Sequence, residues 1–274
     1  MRALAGGVVT TMLCLAQGAG AQQADTIPAP SPLPPALMIF ADTTLLPYER
    51  PNGTLLRPVT MVYDLTLTRA AAATDSAADS TGMIVTPLGM RTVQVGEAVL
   101  AGVPSWLIVE TRTGTAVETR DSLFLSRTTL TPARWIASSG RAQLGASFTR
   151  DSAYGALQSY QGRSSFSLPL GSGALVTPGM VERVVELLPL HFGYQATATV
   201  VLVELGAPRS VAATLTVERE ERLRTAPEVE VDCWIVALRA GTSEQRLWVT
   251  KEAPRVVKTE QAVSRGMLTA IARP

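Results

Sequence analysis

Short segments in which apolar and polar residues alternate run through most of this 274-residue chain. Met61, Tyr63, Leu65 and Leu67 are one example, with the period of two that is typical of a strand with one buried face. Such segments recur about every 8–14 residues and are separated by glycine, proline or serine turns. Connections this short join antiparallel neighbours, because a parallel pair needs a long crossover. The pattern predicts a mainly β fold built as an antiparallel meander.

One segment has the period of a helix. Four apolar residues are spaced at i, i+3, i+4 and i+7: Val181, Val184, Val185 and Leu188. Thr177 suits the N-cap, Pro178 suits the first helical position, and Pro189 would end the helix. This narrow stripe predicts a helix that packs on a sheet face or across its open end. We therefore expect a single curved antiparallel sheet, a half-barrel, with one or two helices packed on or in it.

The first 44 residues differ in composition from the rest and predict two further segments. Residues 1–21 have the pattern of a secretory signal peptide, with Arg2, an apolar run and Ala19-Gly20-Ala21 as the cleavage site. Acylation of Cys14 is an alternative, although the preceding Leu13 is larger than a lipidation site favours. Residues 22–44 predict a proline-rich linker in an extended conformation.

We expect residues 45–274 to form a single domain, exported to the periplasm or the extracellular space. Beyond the signal peptide, no apolar run is long enough to predict a transmembrane anchor. The mature chain is therefore expected to be soluble.

Composition excludes several classes of protein. A hydrophobic share of 46% excludes wholesale disorder. The chain has 24 Lys and Arg against 23 Asp and Glu, and removal of Arg2 with the signal peptide makes the numbers equal (24 − 1 = 23). This neutrality argues against a nucleic-acid partner. One histidine and two cysteines cannot supply an ordinary structural zinc site. We expect no metal, no cofactor and a monomeric protein.

Few residues suggest catalysis. His191, the one histidine, is flanked by apolar residues, which predicts a partly buried structural role, and no G-x-S-x-G or S-x-x-K motif is present. The carboxylates between positions 218 and 232 alternate with arginines and predict a solvated, self-neutralising rim. Cys233 is expected to be buried and inert. The prediction is a protein that is not an enzyme, with a hydrolase that uses His191 as the less favoured alternative.

Four tryptophans lie in four separate predicted strands: Trp106, Trp135, Trp234 and Trp248. Trp234 and Trp248 belong to neighbouring strands and could meet across the pair. Ordinary sheet packing is one interpretation. The other is an apolar groove for a hydrophobic ligand, lined by these tryptophans with Val184 and Leu188 of the helix.

Short motifs, most of them in the C-terminal third, resemble a known bacterial family. They are Asp121-Ser122-Leu123 through Thr131-Pro132, Leu188-Pro189-Leu190, Gly193-Tyr194, Asp232-Cys233-Trp234-Ile235-Val236, Leu247-Trp248-Val249-Thr250-Lys251 and Val256-Val257-Lys258-Thr259-Glu260. Over about residues 55–262 the chain resembles exported proteins of unknown function related to the lipoprotein-localisation factors LolA and LolB.

The resemblance implies an antiparallel half-barrel wrapped around a helix, with an apolar concave face that holds acyl chains in relatives, and it supplies no catalytic residues. The localisation factors have several lid helices, whereas this sequence predicts one. We expect a protein of the bacterial envelope that binds a lipid, an acyl chain or a lipoprotein. The alternative is an envelope protein–protein interaction module without a ligand.

Overall fold

The computed structural model describes residues 46–47, 51–71, 82–114, 117–140, 142–170, 174–176, 179–204, 207–226 and 229–273. The predicted signal peptide and proline-rich linker lie outside these residues. The strands are β1 (Leu46–Pro47), β2 (Val59–Ala70), β3 (Met83–Leu100), β4 (Val103–Thr113), β5 (Thr119–Ser126), β6 (Pro132–Ser139), β7 (Ala142–Phe148), β8 (Ser152–Ser159), β9 (Gly162–Pro169), β10 (Ala174–Val176), β11 (Gln195–Glu204), β12 (Ala207–Ala226), β13 (Val229–Ala240), β14 (Ser243–Thr250), β15 (Val256–Val263) and β16 (Gly266–Ala272). Helix α1 is Gly179–Val185, and Gly53–Leu55 forms a 3₁₀ turn capped by the Asn52 side chain.

These strands all belong to one sheet. From β2 to β9, and from β11 to β16, each strand pairs antiparallel with the next along the chain. The two runs are joined by β16 and β2, in which Ala270 lies directly opposite Leu65. Only β1 and β10 depart from the antiparallel pattern, as both pair parallel with β11. The predicted fold class, mainly β with one curved, largely antiparallel sheet and a helix, is confirmed.

Strand β12 contains an irregularity at which the sheet can bend. This 20-residue strand pairs with β11 through its first half and with β13 through its second, with an irregularity in the register between Val217 and Arg219. A bulge of this kind bends a strand and increases its twist. The first half of β12 lies near β9, where the Ser210 hydroxyl donates a hydrogen bond to the Pro169 carbonyl at 3.0 Å. Within the described residues no backbone ladder pairs β9 with β12, so the sheet remains open there.

Helix α1 lies inside the curve of the sheet. A Cβ on Gly179 would approach Ile108 Cγ2 to 3.2 Å, so the helix begins in close contact with β4. Every residue from Gly179 to Val185 is buried, including Glu182 and Arg183. The predicted helix is therefore present, and it is buried on all its faces rather than only along the apolar stripe. Thr177 and Pro178, the predicted cap residues, lie outside the described part of the chain.

A smaller apolar cluster lies on the outer face of β13 and β14, formed by Cys233, Ile235 and Trp248. The prediction that Cys233 is buried is confirmed, and burial raises the pKa of its thiol to about 11. The predicted self-neutralising rim is also present, on the opposite face of β12 and β13. Arg222 pairs with Asp232 and Arg224 pairs with Glu230, each at 3.1 Å in exposed positions.

Candidate functional site

Strands β2, β3 and β4 place charged side chains on the inner face of the sheet. Arg91 of β3 lies directly opposite Tyr63 of β2 and Arg112 of β4. Directly paired residues of an antiparallel sheet share a face. Glu110 joins them because it lies two residues before Arg112 on the same strand. Two arginines directly opposite each other would repel, so this arrangement requires carboxylates between them.

Glu110 and Glu182 supply those carboxylates. Glu110 Oε2 is 2.8 Å from Arg91 Nη2, and its Oε1 is 2.9 Å from Arg112 Nη2. Glu182 of α1 places Oε1 2.6 Å from Arg91 Nη1. We call Arg91, Arg112, Glu110 and Glu182 the Arg91 cluster. All but Arg112 are almost fully buried.

Pairing keeps Arg91 and Glu110 ionised. Burial opposes both charges, but Arg91 and Arg112 hold the pKa of Glu110 below its usual value, while Glu110 and Glu182 raise the pKa of Arg91. Breaking such a pair would leave an uncompensated buried charge. The cluster therefore fixes α1 against β3 and β4.

A second buried group of side chains contacts the other side of the helix. It consists of Arg183, Glu186 and Tyr63, and we call it the Arg183 cluster. Arg183 Nη2 is 2.9 Å from Glu186 Oε1, which also accepts a hydrogen bond from the Val256 backbone N–H at 2.7 Å. The Tyr63 hydroxyl donates to the Val256 carbonyl at 2.9 Å. Burial raises the pKa of Glu186 to about 7, although Arg183 opposes the rise. Residues from α1, β2 and the start of β15 are thus tied together.

A cavity of about 200 Å³ lies between the Arg91 cluster and strands β11–β16. Arg91, Arg112 and Glu182 form one of its walls. Aliphatic side chains form much of the rest: Leu65, Val200, Leu202, Leu238, Leu268 and Ala270. Ala240 and four uncharged polar residues complete the lining: Ser243, Gln245, Thr259 and Gln261.

The register of the sheet places two neighbouring rows of residues along the cavity, one half-exposed and one buried. Gln245, Gln261 and Leu268 form one row across β14, β15 and β16, and all three are half-exposed. The next row, across β15, β16 and β2, consists of Thr259, Ala270 and Leu65, which are buried. The half-exposed row forms the mouth of the cavity and the buried row forms its floor.

Three of the predicted site residues pack on the inner face away from this cavity. Trp106 is buried and donates its indole N–H to the Gly53 carbonyl at 2.9 Å. Trp135 is buried and donates to Asp121 Oδ1 at 3.1 Å. Val184 is fully buried in the main apolar core.

Leu188 belongs to the same core, just after the helix. Trp234 and Trp248 do not meet as predicted, because Trp248 lies directly opposite Ile235 and the two indoles are therefore on opposite faces. Each carries a lysine above its ring: Lys251 at 4.0 Å from Trp234 and Lys258 at 4.1 Å from Trp248. Among the described residues that line the cavity, none is one of the six predicted, and their role in ligand binding stays a prediction.

The prediction that His191 is partly buried is wrong. His191 is exposed, because the chain turns outward after the helix and the Tyr194 N–H bonds back to the His191 carbonyl at 3.0 Å. Its ring packs edge-on against Tyr194, with 5.8 Å between the ring centroids. Within the described part of the chain, no group of three or more His, Cys, Asp or Glu residues could hold a metal ion.

Sequence reasoning missed the Arg91 cluster. Arg91 has the same strand parity as Val93 and Val95, which are buried. Glu110 likewise has the parity of Ile108. The alternation alone therefore indicated two inward-facing charges. Their partner, Glu182, could not be identified without knowing where the helix packs.

In the described residues, no helix has the length and apolar character needed to cross a membrane. No protein-family model matches the chain, and no curated protein matches it. Among solved structures it is similar to a beta-barrel-like protein of domain of unknown function DUF1849 from Brucella abortus. That similarity has a TM-score of 0.49 and 13% identity, and it covers 79% of this chain and 96% of that one.

Proposed function

We propose that this chain is an exported, non-enzymatic protein of the bacterial envelope that binds a hydrophobic ligand inside its curved sheet. The observation that carries the proposal is the cavity of about 200 Å³ with a mostly aliphatic floor and a half-exposed mouth. An apolar cavity of about 150 Å³ is enough to bind benzene. This one therefore has room for a somewhat larger molecule or for the end of an acyl chain.

Two features of the sequence support the same proposal. The signal-peptide pattern of residues 1–21 supports export. The resemblance to relatives of LolA and LolB supports an acyl chain or a lipoprotein as the ligand. The buried ion pairs add a physical reason for a permanent cavity, because they fix the helix at a set distance from β3 and β4 and prevent it from filling the space.

The proposal is tested by filling the cavity. Ala270 is buried on the floor, directly opposite Leu65, and Ala270→Leu places a larger side chain in the empty space. We expect the full chain, purified from a bacterial host, to carry co-purified lipid in native mass spectrometry and solvent extraction. The Ala270→Leu variant should lose this lipid, and its free energy of unfolding should rise by about 0.5–2 kcal/mol, as is common when a cavity is filled.

Ala262→Leu is the matched control. Ala262 is exposed on β15, next to Gln261 and therefore on the opposite face of the sheet. This variant should keep the wild-type amount of lipid. A wild-type protein without bound lipid that also fails to bind added 1-octanol would contradict the proposal, as would equal lipid in the wild type and in a folded Ala270→Leu variant.

The exposed tip of the β3–β4 hairpin favours a second candidate function, a protein–protein interaction module. Val99 and Val103 are 69% and 60% exposed beside a tight turn in which Ala101 and Gly102 both have positive φ. This candidate predicts a ligand-free wild type that co-sediments with bacterial envelopes. Replacing both valines with serine should then abolish the co-sedimentation without unfolding the protein.

A further inference from the structure

We propose that the cavity selects a small uncharged amphiphile, with a hydroxyl, amide or ester group on a short aliphatic tail, over a fatty-acid anion with the same tail. This inference rests on the proposed function and names its ligand class. It is carried by three observations: the balance of charge in the cavity wall, the uncharged polar groups at the mouth, and the size of the cavity.

The charges of the wall are already balanced. The wall residues Arg91 and Arg112 supply two positive charges and Glu182 supplies one negative charge. Glu110 lies outside the lining but forms ion pairs with both arginines, and it supplies the second negative charge. Behind this wall Arg183 pairs with Glu186. No excess positive charge is left to bind a carboxylate or a phosphate.

Asp121 lines a separate small pocket behind Glu110, where its charge makes the region still less suited to an anion. It lies beside Glu110, and burial raises the pKa of Asp121 to about 6, so the side chain is mostly ionised above that pH. An anionic ligand would then be a further buried negative charge without a partner of its own, which is energetically costly. A cationic ligand would face Arg91 and Arg112 at short range.

The mouth offers hydrogen bonds without charge. Gln245 and Gln261 lie directly opposite each other, and the Gln261 amide is 3.5 Å from the Ser243 hydroxyl. In the adjoining wall, Arg112 is 29% exposed and uses Nε and Nη2 for Glu110, so Nη1 remains as a donor from a guanidinium whose charge is already paired with Glu110. Hydroxyl, amide and ester oxygens can accept from these groups, and a hydroxyl or amide can also donate to the glutamine carbonyls.

The size of the cavity limits the tail. At about 200 Å³ the space is only a little larger than a benzene-sized apolar cavity. A two-chain phospholipid does not fit inside it. A single tail of about eight carbons can occupy the floor around Leu65, Val200 and Leu238 while its polar end remains at the mouth.

The test is a series of ligands that differ only in charge. Isothermal titration calorimetry at pH 7.5 would compare 1-octanol, octanoate and octylammonium on the full chain. We expect 1-octanol to bind at least tenfold more tightly than either ion. Octanoate binding as tightly as 1-octanol, or more tightly, would overturn the inference and leave the proposed function standing. No binding by any of the three, together with no co-purified lipid, would overturn both.

A variant with a new charge at the mouth provides an independent check. Gln245→Lys places a positive charge on the half-exposed row, where the substitution should be compatible with folding. Octanoate affinity should rise at least fivefold, while 1-octanol affinity should change less than twofold. Gln158→Lys, on an exposed position of β8, is the matched control and should change neither. An unchanged octanoate affinity in a folded Gln245→Lys variant would contradict an electrostatic origin of the selectivity.

Discussion

Glu186 brings a carboxylate into the interior, where its charge is costly. Burial raises its pKa from 4.5 to about 7. Between these values the folded protein holds a proton that the unfolded chain has released, so the free energy of unfolding falls as the pH rises through this window. A shift of this size corresponds to a decrease of about 3 kcal/mol by pH 8.

Replacing Glu186 by Gln should remove that part of the pH dependence. The amide oxygen can still accept from the Val256 N–H, so we expect wild type and variant to have similar stability at pH 5. Above pH 7 the variant should be the more stable of the two. Urea unfolding at pH 5, 6, 7 and 8 measures the free energy of unfolding of both proteins. Glu252→Gln, at an exposed position, is the control, and its free energy of unfolding should depend on pH as that of the wild type does. If the free energies of unfolding of the wild type and Glu186→Gln changed equally with pH, Glu186 would not titrate in this range.

Among the elements, β8 has one position at which a side chain would collide with the backbone of the neighbouring strand. A Cβ on Gly155 would lie 1.9 Å from the Gly145 carbonyl oxygen of β7. Gly96 in β3 has no atom within 4 Å of the corresponding position. The two glycines therefore form a matched pair within the same sheet.

We expect Gly155→Ala to lower the free energy of unfolding by about 2 kcal/mol or more, because backbone atoms of β7 must move to admit the methyl group. Gly96→Ala should be neutral or stabilising by up to about 1 kcal/mol, since alanine restricts the unfolded chain. Chemical denaturation of both variants tests this difference. Equal losses in the two would argue against the close approach of β7 and β8.

The strands could be predicted from the sequence, whereas the surroundings of the helix could not. Alternation and turn residues predicted the strands and their sequential pairing, because both depend on residues close together in the chain. Helix α1 was predicted from its apolar spacing, but its complete enclosure depends on β2–β4, which lie far from it in sequence. For the same reason the partners of Arg91 could not be identified. The four tryptophans were predicted to line a groove, but none of them is among the described residues that line the cavity.

For the molecule as a whole, one apolar core extends across both runs of strands, β2–β9 and β11–β16, which we call the two flanks of the sheet. It includes Leu144 of β7 and Leu247 of β14. A shared core of this kind predicts a single cooperative unfolding transition. Tryptophans are present on both flanks, with Trp135 in β6 and Trp248 in β14, so fluorescence can monitor each flank separately.

Two variants make this measurement specific. Replacing Trp106 and Trp135 with Phe leaves indole signals in the C-terminal run of strands, and replacing Trp234 and Trp248 with Phe leaves them in the other run. In each variant the fluorescence midpoint in urea should coincide with the midpoint from far-UV circular dichroism. Midpoints that separate would indicate two units that unfold independently.

The open edge at β9 has a consequence for how the protein behaves at high concentration. An unpaired strand is a template on which a second chain can grow, and repeated growth of this kind leads to fibres. Most of β9 is exposed and polar, with Arg163 near its start, serines along its length and Pro169, which has no N–H, at its end. The residues of β9 are therefore poor partners for another strand, and we expect them to keep the unpaired edge from causing aggregation.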